Sequence, residues 1–111
     1  MNTKSAAEIL SEEYPQLYTN VRCGVSIGIG WVHIIRTLSD AVLARGSSVV
    51  VEQVKEKFGI LRYYYSGDDI DDLVGAAEFA SITTCEECGE VGTWTLSRSG
   101  CLRTLCVECK S

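Results

Sequence analysis

Near its C-terminus the chain reads CEECGEVGTWTLSRSGCLRTLCVEC, which covers residues 85–109. Two Cys-x2-Cys pairs, Cys85 with Cys88 and Cys106 with Cys109, are separated by seventeen residues. This spacing is typical of a structural zinc site with four thiolate ligands. Each pair presents two sulfur atoms from one tight turn, and a short β-hairpin between the pairs would bring the four together. The sequence therefore predicts that these four cysteines bind one structural Zn²⁺.

Four protein ligands fill every position around a tetrahedral Zn²⁺ and leave none for water or substrate. The metal is therefore expected to hold the fold and not to take part in a reaction. A redox motif is less consistent with the pattern, because such a Cys-x2-Cys pair occurs singly between a strand and a helix.

Cys101 lies shortly before Cys106 and could replace it as a ligand, but Cys106 shares a turn with Cys109. Cys101 and Cys23 are predicted to be small core residues.

The composition indicates one soluble domain. The chain has 111 residues, of which 46% are hydrophobic and 23% are charged. No apolar run approaches the roughly 20 residues of a membrane helix, and the N-terminus lacks the apolar core of a signal peptide. We therefore expect a cytoplasmic protein without a membrane partner. Thiols stay reduced in that compartment, so the six cysteines are expected to be metal ligands and spare thiols.

The charge disfavours nucleic acid as a partner. The net charge is −5, and residues 85–110 contain four glutamates against three basic residues. Four thiolates and one Zn²⁺ would make this segment more negative still. Nucleic-acid modules need a cationic face, because neutralising phosphates supplies most of their affinity.

Three helices are predicted before the cysteine pairs. The first covers residues 5–13, where Ser5 and Glu8 have the spacing of a capping box. The second begins at Trp31, ends near Ala44 and is followed by a glycine. The third covers about 69–83. Apolar residues recur at helical spacing in the last two, namely Trp31, Ile34, Ile35, Leu38, Ala41 and Val42, and then Ile70, Leu73, Val74, Ala77 and Ala80.

An antiparallel β-hairpin is predicted between the second and third helices. Residues 49–57 and 60–65 are rich in β-branched and aromatic side chains, and Phe58-Gly59 between them favours a tight turn.

The glycine-rich segment 21–30 matches no phosphate-binding motif, so we interpret it as a turn where backbones pack closely. The expected fold is α+β, with the zinc ribbon packed on the third helix. Residues 1–84 would form the body and residues 85–111 an extension of the same compact unit.

The hairpin also contains the basic and aromatic residues that could form a binding surface: Lys55, Lys57, Arg62, Tyr63, Tyr64 and Tyr65. Such residues anchor protein interfaces and can stack on single-stranded bases. In the simplest alternative, half of the aromatic side chains fill the core and the charged side chains are solvated.

His33 is expected to face solvent. No nucleophile–base pair, paired carboxylates or open metal site can be identified, so we do not expect an enzyme.

Three segments resemble one protein family. They are GW at residues 30–31, VEQVKEKFGILRYY at residues 51–64, and CEECG at residues 85–89 together with RTLC at residues 103–106. They are similar to an uncharacterised family of small proteins from bacteriophages, prophages and bacteria, over roughly residues 23–109. The resemblance implies a phage or mobile-element context, hence the cytoplasm of a bacterial host, and a metal-binding pair of cysteine turns, but no reaction.

The expected function is that of a non-enzymatic, zinc-stabilised binding protein whose partner is a host or phage protein. The alternative is a nucleic-acid-binding zinc-ribbon module.

Overall fold

The computed structural model describes residues 4–110 and confirms a mixed α+β fold. It contains two β-sheets, five helices and one turn of 3₁₀ helix within that range. In chain order the elements are α1 (Ala6–Glu13), α2 (Pro15–Tyr18), β1 (Val25–Ser26), the 3₁₀ turn (Ile29–Trp31), α3 (Val32–Arg45), β2 (Val49–Lys57), β3 (Ile60–Gly67), α4 (Asp71–Ser81), β4 (Thr93–Leu96), β5 (Leu102–Leu105) and α5 (Val107–Lys110).

The prediction of three helices was wrong in number. The three predicted helices correspond to α1, α3 and α4, while α2 and α5 are additional helices of four residues each. One helical turn is too short to show an apolar period, so neither helix was predicted. The predicted capping box is present, because Ser5 Oγ accepts from the Glu8 amide at 3.2 Å and Glu8 Oε1 accepts from the Ser5 amide at 3.1 Å.

The first sheet has three strands in the order β1-β2-β3. The predicted hairpin is confirmed, since β2 and β3 are antiparallel and Lys57 lies opposite Ile60 across the turn. The sequence analysis missed β1, which lies parallel to β2 with Val25 opposite Val54. Two residues are too few to show a strand pattern, and the long connection that a parallel pair requires is supplied by α3.

The hydrophobic core lies between this sheet and the helices. Trp31, Ile35 and Val42 of the predicted second helix are fully buried, as is Ile70 before α4. Val54 and Leu61 of the hairpin are also fully buried. The predicted apolar stripes therefore do face the core, although Ala41, Leu73 and Ala80 are only partly buried.

Helix α4 protects one edge of the first sheet. The amide of Leu61 donates to Ser81 Oγ at 3.0 Å, and the amide of Tyr63 donates to Glu78 Oε2 at 3.1 Å. These β3 amides would otherwise be open to a further strand. Because helix side chains occupy them, a second copy cannot pair with this part of the hairpin edge without displacing α4.

The second sheet, β4–β5, packs against the turn of the β2–β3 hairpin. Trp94 Nε1 donates to the Phe58 carbonyl at 2.7 Å, and Thr104 Oγ1 donates to the Gly59 carbonyl at 2.8 Å. A Cβ on Gly59 would lie 2.7 Å from Arg103 Cα, so the two backbones are in direct contact. The prediction placed the ribbon on the third helix and did not foresee these contacts with the hairpin turn. The ribbon also reaches the end of the predicted range of that helix, where the Gly92 amide donates to the Thr83 carbonyl at 2.9 Å.

The glycine-rich segment supplies the other contact of the ribbon. The Gly30 amide donates to the Glu86 carbonyl at 2.8 Å, and the fully buried Trp31 donates through Nε1 to the Thr84 carbonyl at 2.8 Å. A Cβ on Gly28 would lie 2.2 Å from the Glu86 carbonyl oxygen. The interpretation of this segment as a place of close backbone packing is confirmed.

No helix within residues 4–110 is long and apolar enough to cross a membrane.

Candidate metal centre

The four predicted cysteine ligands converge on one point. The Sγ atoms of Cys85, Cys88, Cys106 and Cys109 all lie within 4.8 Å of one another, and those of Cys88 and Cys106 are 3.6 Å apart. A tetrahedral site with Zn–S bonds of about 2.3 Å requires sulfur–sulfur distances of about 3.8 Å. The donor set therefore fits a metal ion bound by four thiolates.

The first pair of cysteines is held by the turn that follows α4. Residues Thr84 and Val91 form an isolated antiparallel bridge that closes this loop, and the Gly89 amide donates to the Cys85 carbonyl at 3.0 Å. Gly89 has a φ of 84°, a left-handed conformation that glycine adopts without steric cost. The loop thereby directs both cysteine side chains to the same side.

The second pair is positioned by the end of β5 and by α5. Cys106 follows the strand directly, and the Lys110 amide donates to its carbonyl at 3.0 Å. The Cys109 amide lies 3.4 Å from Cys106 Sγ and donates to it. The short helix α5 thus places the fourth sulfur next to the third.

Backbone amides favour the thiolate form of Cys85. Burial alone would raise the pKa of this thiol, since its side chain is inaccessible to solvent. The N–H groups of Cys106, Cys88 and Glu87 donate to its sulfur and lower the pKa to about 6. Hydrogen bonds of this kind stabilise metal-bound thiolates as well as free ones.

Cys88 and Cys109 favour the protonated thiol in the absence of a cation, because the pKa of each is raised. The Glu90 amide lowers the pKa of Cys88, but burial and the thiols of Cys106 and Cys85 outweigh it and raise that pKa. The pKa of Cys109 is raised chiefly by its hydrogen bonds to Cys106 and Cys85. Sulfur atoms so close together cannot all be charged unless a cation compensates them, which is the behaviour expected of a metal site.

The remaining cysteines stay outside the cluster. Cys101 and Cys23 are both exposed, so their prediction as small core residues was wrong. Cys101 follows the tight turn between β4 and β5, where its amide donates to Ser97 Oγ at 3.2 Å. The competition between Cys101 and Cys106 is thereby resolved in favour of Cys106, the residue that lies in the cluster.

Sequence reasoning missed the role of Glu86. Its side chain is only 4% exposed, although it lies between two cysteines in a surface loop. Glu86 Oε2 accepts from the Thr104 amide at 2.8 Å, and Oε1 lies 3.4 Å from Arg103 Nη2. Burial raises the pKa of this carboxyl group. Glu86 therefore joins the first cysteine loop to β5, a role that no local pattern signals because it depends on the pairing of distant segments.

The predicted basic and aromatic surface is only partly assembled. Lys55 lies opposite Arg62 in the ladder, and Tyr64 is 45% exposed on the same face. Lys55 Nζ is 5.8 Å from the centre of the Tyr64 ring. Together with the exposed Lys57, these residues form what we call the outer face of the hairpin: Lys55, Lys57, Arg62 and Tyr64.

Two of the predicted surface residues lie elsewhere. Tyr63 is buried, and its hydroxyl is 2.8 Å from that of Tyr18 in the core. Tyr65 is half-buried, with its hydroxyl donating to Asp71 Oδ1 and accepting from the Ile70 amide. The strand period of two places Tyr64 on the opposite side of the sheet from both neighbours. His33 is exposed, as expected.

Comparison of the chain with protein-family models, with curated proteins and with solved structures gave no match.

Proposed function

We propose that this protein is a small zinc-stabilised binding protein of phage or mobile-element type. It would act by contacting a host or phage protein, in the cytoplasm of a bacterial cell, and would have no catalytic activity of its own. The observation that carries the proposal is the convergence of four cysteine sulfurs within 4.8 Å of one another.

The donor set supports a structural role for the metal. Four thiolates from Cys85, Cys88, Cys106 and Cys109 complete the tetrahedral shell that Zn²⁺ prefers, and soft sulfur ligands favour Zn²⁺ over hard cations such as Mg²⁺. When bound, the ion would link the loop after α4 to the end of β5. Its binding free energy would then contribute directly to folding of the ribbon.

The outer face of the hairpin supports recognition by surface contact. Lys55, Lys57 and Arg62 have no ion-pair partner within the described residues 4–110, whereas Arg36 and Arg45 each have one and Arg103 has two. Unpaired cations beside an exposed tyrosine are available to a partner, and arginine and tyrosine are the side chains that anchor many protein interfaces.

A capture experiment tests the proposed function. The zinc-loaded protein, immobilised through a tag, is expected to retain one or a few proteins from a bacterial lysate above background. The double reversal K55E/R62E should reduce that capture at least tenfold, because it replaces the cations of the outer face with like charges for an acidic partner.

The matched control for this experiment is K4E/R45E. It makes the same change in net charge outside the sheet, and the exposed ion pairs that it breaks contribute little to stability. Zinc content is measured in parallel on all three proteins. Capture of nothing by the wild-type protein would contradict the proposed function, and so would equal loss of capture in the two charge variants.

The second candidate, a nucleic-acid-binding ribbon, is supported by the same outer face, where Tyr64 could stack on a base between Lys55 and Arg62. It predicts salt-dependent retention on single-stranded DNA or RNA that is lost when Lys55, Lys57 and Arg62 are neutralised. The net charge of −5 makes this the weaker of the two proposals.

A further inference from the structure

The turn of the β2–β3 hairpin contains an aromatic residue in a conformation that rarely admits one. Phe58 and Gly59 have φ values of 55° and 78°, both left-handed. A two-residue turn of this kind prefers Asn-Gly or Gly-Gly, because a bulky side chain at positive φ is sterically strained. Phe58 is the one non-glycine residue with positive φ in the described part of the chain.

Burial does not compensate this strain, because Phe58 is 62% exposed. The conformation is instead held from outside the turn. Trp94 Nε1 donates to the Phe58 carbonyl at 2.7 Å, and the Gly59 amide donates to Glu56 Oε2 at 2.6 Å. A strained residue that its surroundings fix in place, and that points into solvent, indicates a functional position.

Phe58 belongs to an exposed apolar patch that spans both sheets. Trp94 is 46% exposed and Leu96 is 62% exposed, both on β4. A depression of about 540 Å³ is lined in part by Phe58, Leu96 and Leu102, so the hairpin turn and the ribbon share one concave surface. Aromatic side chains held rigidly beside such a depression are typical anchors of protein interfaces.

The outer face beside this depression is cationic, whereas the depression itself also contains Glu56, whose carboxylate accepts from the Gly59 amide. Lys57 precedes Phe58 directly, and Lys55 lies opposite Arg62 on the adjoining outer face. Like charges in directly opposite ladder positions destabilise a sheet, and within residues 4–110 no acidic side chain forms an ion pair with them. The hairpin thus combines two locally unfavourable features, the strained Phe58 and the Lys55–Arg62 pair, on one surface.

Resting on the proposed function, we infer that Phe58, Trp94 and Leu96 together with the outer face form one docking surface. Its occupant is an acidic segment of a partner protein that carries an apolar side chain. The carboxylates would lie over Lys55, Lys57 and Arg62, and the apolar side chain would enter the depression beside Phe58. A protein segment fits better than nucleic acid, because the net charge is −5 and the wall of the depression opposite Phe58 is formed by Leu96 and Leu102, which offer neither a cation nor a ring.

Defined peptides test this inference on the zinc-loaded full-length protein. The probe is a twelve-residue peptide of alternating Asp and Glu with a central Leu-Phe, and two controls replace either the acids with Lys or the Leu-Phe with Ser-Ser. The protein has two tryptophans, and only Trp94 is exposed, so its indole N–H resonance reports on the surface while that of buried Trp31 serves as an internal reference. We expect the acidic apolar peptide to shift the Trp94 resonance, and both control peptides to bind at least tenfold more weakly.

The variant F58N separates recognition from folding. Asparagine tolerates left-handed φ, so F58N should keep or raise the melting temperature while it weakens peptide binding at least tenfold. The matched control is F79Q, which removes another exposed aromatic side chain, 75% exposed on α4, and should leave binding unchanged. A structural role for Phe58 would instead lower the melting temperature of F58N.

Each outcome decides the inference. A Trp94 shift that F58N loses and F79Q retains supports it. Equal affinity for the three peptides, no binding of any peptide, or a Trp94 shift only with single-stranded DNA would overturn it. If a lysate protein is captured equally by wild type and F58N, the proposed function stands and this docking surface is wrong. If wild type captures nothing, the proposed function itself fails.

Discussion

At the scale of single residues, the glycines before α3 are explained by what lies against them. A Cβ on Gly30 would lie 2.2 Å from the Cys85 carbonyl oxygen and 2.6 Å from the Gly89 nitrogen. Neither atom can move far, because both belong to the backbone of the first cysteine loop. Gly30 is therefore required where the body and the metal site touch, and its role is steric, not conformational.

We predict that Gly30→Ala destabilises the protein on the order of 3 kcal/mol, because the added methyl group separates the 3₁₀ turn from the cysteine loop. Urea unfolding followed by tryptophan fluorescence measures the effect, since Trp31 donates to the Thr84 carbonyl beside this contact. The matched control is Gly75→Ala in α4, where a Cβ meets nothing within 4 Å. Gly75→Ala should stabilise by about 0.5–1 kcal/mol, and equal behaviour of the two variants would contradict the steric account.

At the scale of elements, the ribbon is too small to fold alone. Strands β4 and β5 have four residues each, and an isolated two-stranded hairpin is at best marginally stable in water. It therefore depends on contacts with the hairpin turn and the glycine-rich segment, and the proposed metal would hold its other end. Thr104, fully buried, makes one of these contacts through the Gly59 carbonyl.

We predict that Cys88→Ser abolishes stoichiometric metal binding and unfolds at least the ribbon. Structural zinc sites contribute an apparent ~10–16 kcal/mol, which is comparable to the ~5–15 kcal/mol stability of a whole domain. Elemental analysis would give the zinc content, and loss of the Trp94 indole N–H resonance would report the ribbon. Cys101→Ser is the matched control, because Cys101 is exposed and lies outside the cluster. Full zinc content with an unchanged melting temperature in Cys88→Ser would refute the site.

At the scale of the whole molecule, distant segments are joined through buried polar contacts. The Tyr18 hydroxyl of α2 lies 2.7 Å from Ser39 Oγ of α3 and 2.8 Å from the Tyr63 hydroxyl of β3. The three side chains connect two helices and the sheet inside the core. Desolvation by burial is the first cause that raises the pKa of both phenols, so the folded state strongly favours their neutral form.

The stability of the molecule should consequently fall at alkaline pH. A phenol whose pKa is raised by folding stabilises fully below its unfolded pKa of about 10, and this contribution is lost as the pH rises above that value. We expect the free energy of unfolding of the zinc-loaded protein to decrease steadily above pH 10. Tyr63→Phe, which removes one of the two phenols, should lessen the decrease while lowering stability at pH 8 by about 1 kcal/mol. Identical slopes in both proteins would contradict this account.

Much of this protein could be predicted from local pattern. The capping box at Ser5, the hairpin around Phe58-Gly59 and the apolar stripe of α3 each depend on residues close in sequence, and each is present. The convergence of the four cysteines was also predicted from their spacing, because a Cys-x2-Cys turn brings two sulfurs together wherever it occurs.

The tertiary structure decided the contacts between segments that lie far apart in the chain. The burial of Glu86 against Arg103, the parallel pairing of β1 and the contact of the ribbon with Phe58 leave no local trace, since the partners lie many residues apart. For the same reason the adjacent tyrosines 63, 64 and 65 could not be assigned to a face before the sheet was known. Local chemistry therefore determined the longer elements and the grouping of the four cysteines, whereas packing over long sequence separation determined which side chains remain exposed.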